Sequence, residues 1–132
     1  MELSENEIAK IIVDSAYNIH KNLGPGLLEG VYQRILTNEL RKRGLRVHEE
    51  VAIPLIYEDL EIEIAFRADM IVNEKVLIEL KSLEHILPVH KKQVLTYLKL
   101  SGKKLGLLIN FGSEYFKSSI TRIVNNLEEQ SL

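Results

Sequence analysis

The sequence predicts an α/β fold in which a central mixed sheet of four or more strands is flanked by helices. Three observations carry this. Leu60, Ile62, Ile64, Phe66, Ala68, Met70 and Val72 alternate with other residues at the strand period, and Val76, Ile78 and Leu80 repeat the pattern across a short turn. Two N-terminal segments and one later segment carry apolar residues at helical spacing. After the last of these comes Leu105 to Phe111, a continuous apolar run that suits a strand buried on both faces and reached by a helical crossover. A length of 132 residues fits a single domain, 1–132, with its own core.

Register follows from the two apolar faces. Residues opposite each other in an antiparallel pair share a side of the sheet, so joining the faces pairs Val72 with Val76, Met70 with Ile78 and Ala68 with Leu80. The loop is then Asn73-Glu74-Lys75, with Asn73 suited to positive φ. The same register sets Asp69 opposite Glu79, with Lys81 two residues along on the same face. Such a cluster has two readings. One is a solvated ion-paired face, as Glu-x-Lys triplets are common. The other is a divalent metal site, because two carboxylates a cross-strand distance apart suit Mg²⁺, a hard cation that takes oxygen ligands and keeps several waters.

The remaining elements fall in order. Ser4 to Asn22 reads as a helix opened by a Ser4-x-x-Glu7 capping box, with Ile8, Ile11, Ile12, Ala16 and Ile19 as its stripe. Gly24-Pro25-Gly26 breaks the chain. Leu27 to Arg43 is the second helix, with Leu28, Tyr32, Leu36 and Leu40 at four-residue steps and Gly44 as its stop. Glu29 sits in its first turn. It either complements the helix dipole or delivers a carboxylate toward the sheet. Arg46 to Ile56 is a strand with Val47, Val51, Ile53 and Leu55 on one face, and Pro54 marks an edge or a strand end. Pro88 opens a third helix to about Ser101, where His90, Gln93 and Tyr97 form one stripe and Lys91, Lys92, Lys99, Lys103 and Lys104 make a basic neighbourhood. Phe116 to Val124 is a short strand or helix, and Asn125 to Leu132 a helical tail or frayed end.

Composition narrows the function. Without cysteines there is neither a disulfide framework nor a thiolate metal site, and the histidines lack zinc spacing. No apolar run reaches membrane-spanning length, and the acidic start is unlike a secretory signal, so a cytoplasmic protein is expected. A net charge of −2 argues against an indiscriminate nucleic-acid coat but leaves room for a local basic groove.

Four short motifs recur in this order: Gly26-Leu27-Leu28-Glu29-Gly30-Val31-Tyr32, Arg67-Ala68-Asp69 followed by Glu79-Leu80-Lys81, Gln93-Val94-Leu95-Thr96-Tyr97, and Leu107-Leu108-Ile109-Asn110-Phe111-Gly112. Together they resemble the PD-(D/E)XK nuclease superfamily, with its restriction-endonuclease-like core, and more closely the small bacterial and archaeal GxxExxY proteins. Ala68 stands where the superfamily name has proline. The resemblance implies metal-assisted hydrolysis of phosphodiester bonds in DNA or RNA. Asp69, Glu79 and the backbone carbonyl of Leu80 would hold Mg²⁺ or Mn²⁺, and Glu29 would complete the metal shell. Lys81 would position water or stabilise the phosphate, while Gln93 and Tyr97 orient lysine, water or phosphate. A non-catalytic interaction module or subunit with the same fold, and a small-molecule phosphohydrolase, are the alternatives. A chain this small would draw specificity from a homodimer, a protein partner or a substrate end.

Overall fold

A computed structural model describes residues 2–128. Helices α1 (Glu5–Leu23) and α2 (Glu29–Lys42) lead into strands β1 (Val47–Tyr57), β2 (Leu60–Val72) and β3 (Val76–Lys81). Helix α3 (Pro88–Ser101), strand β4 (Leu105–Asn110), a single 3₁₀ turn (Phe116–Ser118) and strand β5 (Ile120–Val124) follow. The sheet order is β1-β2-β3-β4-β5, antiparallel except for the β3–β4 pair, which α3 connects. The mixed α/β architecture is the expected one.

Local chemistry explains the element ends. The Ser4 hydroxyl accepts the Glu7 amide while the Glu7 carboxylate accepts the Ser4 amide, so two otherwise orphaned donors at the start of α1 are satisfied. Helix α2 begins at Glu29 rather than Leu27, because Gly24 to Leu27 is held as a loop by Tyr32. The Tyr32 hydroxyl donates to the Gly24 carbonyl at 2.5 Å and accepts the Leu27 amide at 3.2 Å, and its buried ring stacks on Phe111 with centroids 4.5 Å apart. Tyr32→Phe keeps the stacking and strands both loop groups, and should cost about 1–2 kcal/mol in urea unfolding. The undecided segment after β4 becomes the 3₁₀ turn and the edge strand β5. Residues 125–128 contain no helix, and the rest of the expected tail lies outside the described residues.

Two apolar clusters cover the sheet. On one side α1 and α2 bury Ile8, Ile12, Tyr32, Leu36 and Leu40 against Val47, Met70, Val72, Ile78 and Leu80. On the other, α3 buries Val94 and Leu98 against Ile53, Ala68, Ile71, Leu77 and Leu108. Strand β4 is buried along its whole length, and a side chain on its Gly106 would meet Val94 and Leu98, so α3 lies close upon it. No helix among the described residues is long and apolar enough to cross a membrane.

The sheet changes face partway along β1 and β2, and here the sequence expectation needs correction. Met70 and Val72 point to the α1–α2 side, but Phe66 and Ala68 point to the α3 side. The partner strand does the same, with Val47 on the first side and Val51 and Ile53 on the second. Between the pairs Glu49↔Met70 and Val51↔Ala68 lie Glu50 and Asp69, and Glu50 has φ of +50°. A left-handed residue breaks strand alternation, so the apolar phase shifts on passing it. The hairpin register holds for Met70↔Ile78 and Val72↔Val76, with Asn73 and its neighbour Glu74 both at positive φ. The expected Ala68–Leu80 pair does not form, since the β2–β3 ladder ends at Met70, where the strand changes face.

Candidate active site

Where that ladder ends, β2 and β3 part, and two carboxylates take over the backbone amides. The Asp69 Oδ2 accepts the Leu80 amide at 2.8 Å, and the Glu79 Oε1 accepts the Asp69 amide at 3.2 Å. Each side chain therefore does on the other strand what a carbonyl would do in a continued ladder. The Asp69 charge also acts directly on the Glu79 carboxyl.

Burial dominates the electrostatics. Glu79 is buried, and loss of solvent, reinforced by the Asp69 charge, pushes its carboxyl up to about 9 despite Lys81 nearby. Asp69 is also raised, by burial first, although the Leu80 amide and Glu79 act in the opposite sense. Burial and mutual repulsion thus raise the proton affinity of the pair.

Other elements bring further groups to this pair. Glu29, in the first turn of α2, is raised by partial desolvation and then by the Asp69 charge. Tyr97 of α3 stacks on Phe66 with centroids 3.8 Å apart, and its hydroxyl is raised by burial and by the charges of Glu79 and Asp69. Lys81 ends β3 and acts electrostatically on Asp69, Glu79 and Glu29. Gln93 is exposed one turn before Tyr97. Glu29, Lys81 and Tyr97 therefore all act on or respond to the Asp69–Glu79 pair, whereas Gln93 makes no hydrogen bond to any of them.

Two residues that the sequence reading passes over belong to the same neighbourhood. Glu50 faces it from β1 and raises the pKa of both Asp69 and Glu29. Gln33, four residues after Glu29 on α2, donates its amide toward Glu50 at 3.0 Å, Glu49 at 3.3 Å and the Asp69 carbonyl at 3.4 Å. The available signal was helical spacing, which places Gln33 on the same face as Glu29.

The expected metal shell is only partly gathered. Among the described residues, no group of three or more histidine, aspartate or glutamate side chains stands ready to hold a metal ion. The two carboxylates do fit a hard cation. Glu79 is buried and Asp69 half-buried, so they are mutually repelling oxygen donors that favour either a proton or a positive ion between them, and Mg²⁺ asks for only one or two protein carboxylates.

Residues 6–123 match the family model described as the PD-(D/E)XK nuclease superfamily. The chain belongs to that superfamily. A solved structure titled "Crystal structure of SSO0001" shares the fold, with a TM-score of 0.58 and 21% identity over 94% of this chain. The match spans 59% of that longer chain. No curated protein matches the sequence.

Proposed function

We propose that this chain is a divalent-metal-dependent nuclease of the GxxExxY kind, a single cytoplasmic domain that hydrolyses phosphodiester bonds in DNA or RNA. The observation that carries this reading is the Asp69–Glu79 pair at the point where β2 and β3 separate. A solvated charged face has no need to bring a buried and a half-buried carboxylate together across two strands, whereas a cation-binding site does.

Asp69, Glu79 and the Leu80 carbonyl would hold Mg²⁺ or Mn²⁺, with Glu29 completing the shell from α2. The ion, when bound, supplies Lewis acidity and offsets negative charge building on the phosphate. Lys81 donates to the attacking water or to a phosphoryl oxygen, a stabilisation greatest where charge develops. The Tyr97 hydroxyl orients lysine or phosphate from the α3 side, its ring fixed by Phe66. Gln93 contacts the nucleic acid at the margin of the site.

The test is cleavage of single- and double-stranded DNA and RNA with Mg²⁺ or Mn²⁺ and with chelator, beside Glu79→Ala and Lys81→Ala. Cleavage should require the metal and fall by about 10²–10³-fold or more in each variant. Absence of cleavage on every substrate, or activity that survives both substitutions, would sink the reading.

A further inference from the structure

We propose that the outer part of the β1–β2 hairpin is a docking arm for a second copy of this chain, received by the partner's α3 surface in a two-fold dimer. From Leu60 to Ala68, β2 pairs only with β1, because the β3 ladder begins at Met70. The ribbon leaves the sheet there, and α3 covers it only as far as Ile53 and Phe66. Beyond them the apolar pairs Leu55↔Ile62 and Tyr57↔Leu60 continue the strand with little cover, Tyr57 being 65% and Leu60 59% exposed. An uncovered two-stranded ribbon is marginal in water, and an apolar one is an interaction surface.

Charge selects the occupant. Residues 54–65 contain four acidic side chains and no lysine or arginine, which leaves 15 acidic and 17 basic residues elsewhere. The arm therefore repels nucleic acid and seeks an apolar surface with a basic rim. This chain presents one. Leu87 and Val89 are exposed at the start of α3, followed by exposed Lys91 and Lys92. Among the described residues, neither these lysines nor Glu58 and Asp59 at the tip of the arm form an ion pair, while Glu61 and Glu63 alternate with Leu60 and Ile62 and keep the opposite face of the ribbon polar. Strand-to-strand pairing along the β1 edge is disfavoured, since Pro54 lacks an amide donor and Glu50 breaks the extended backbone. Face-on packing sets the apolar pairs against Leu87 and Val89 and the tip acids beside Lys91 and Lys92. Two-fold symmetry makes the contact twice, since each copy offers one arm and one α3.

The experiment is sedimentation of the full chain over a concentration series at low and high salt, with neither metal nor substrate needed. The wild type should form a dimer that weakens as salt rises. Glu58→Lys with Asp59→Lys should weaken association by about tenfold or more, and so should Lys91→Glu with Lys92→Glu. Because both contacts in a mixed pair are then complementary, mixing the two variants should restore dimerisation. Tyr57→Ser with Leu60→Ser should weaken it without charge recovery. All of these positions are exposed, so unchanged circular dichroism is expected throughout. The proposal is overturned by a wild type that stays monomeric, by a dimer indifferent to the arm variants, or by a mixture that fails to recover.

Discussion

Without metal, the protein should lose stability as the pH rises from about 4.5 toward 9, and Glu79→Gln should remove most of that loss. The Glu79 carboxyl has its ordinary affinity for a proton in the unfolded chain and a much higher one when folded, where it is raised to about 9. Over that interval the folded state binds more protons, so its stability falls as protons are withdrawn. The contribution is complete below the unfolded pKa and is lost as pH rises through the folded one. Each tenfold gain in proton affinity is worth about 1.4 kcal/mol, so the total is of the order of several kcal/mol. Asp69 and Glu29, also raised, tilt the curve the same way. A glutamine at position 79 keeps an acceptor for the Asp69 amide and has no proton to lose. Urea unfolding in chelator at pH 5.5 and pH 9 should therefore show a clear drop for the wild type and a nearly level response for the variant. A divalent cation should return the lost stability at high pH in the wild type only, by about 2.7 kcal/mol at a hundredfold excess over its Kd. Equal pH slopes in the two proteins would refute the raised proton affinity of Glu79.

The carboxylate pair was legible because its register rests on two apolar faces and one short turn. Val72↔Val76 and Met70↔Ile78 follow from sequence alone. What happens one residue further on was hidden for a physical reason. Both sides of this sheet are covered by helices, so both phases of β2 are apolar near Asp69: Ala68 and Met70 in one phase, Ile71 in the other. A change of face leaves no mark in such a pattern. The left-handed turn at Glu50 was equally silent, since it involves a glutamate and not a glycine or asparagine. Consequently nothing in the sequence singled out Glu50, although its charge acts on Asp69. Tyr32 was legible as core, but its hydroxyl bonds to the loop before Glu29 required coordinates.

Gly112→Ala should destabilise the protein by about 2–4 kcal/mol and depress cleavage further than the stability loss accounts for. The reason is space. A methyl group at position 112 would lie closer than 3.0 Å to the backbone N, C and O of Leu83. Leu83 has no freedom to withdraw, because the buried Asn110 side chain holds it from both sides. Its Oδ1 accepts the Leu83 amide at 2.9 Å and its Nδ2 donates to the Leu83 carbonyl at 2.9 Å. The same amide satisfies the Gly112 N–H at 3.1 Å and the Ser113 hydroxyl at 3.0 Å, so displacing Leu83 unpairs a whole buried network. Leu83 lies two residues beyond Lys81. Between them, Ser82 donates to the Leu27 carbonyl at 2.7 Å, two residues before Glu29. A shift of Leu83 is thus transmitted to the lysine on β3 and to the carboxylate on α2 at once. Asn110→Ala separates the causes, since it removes the hydrogen bonds without adding the clash. If Gly112→Ala unfolds with the wild-type midpoint, the 82–87 connector yields freely, and it does not hold Lys81 and Glu29 in register.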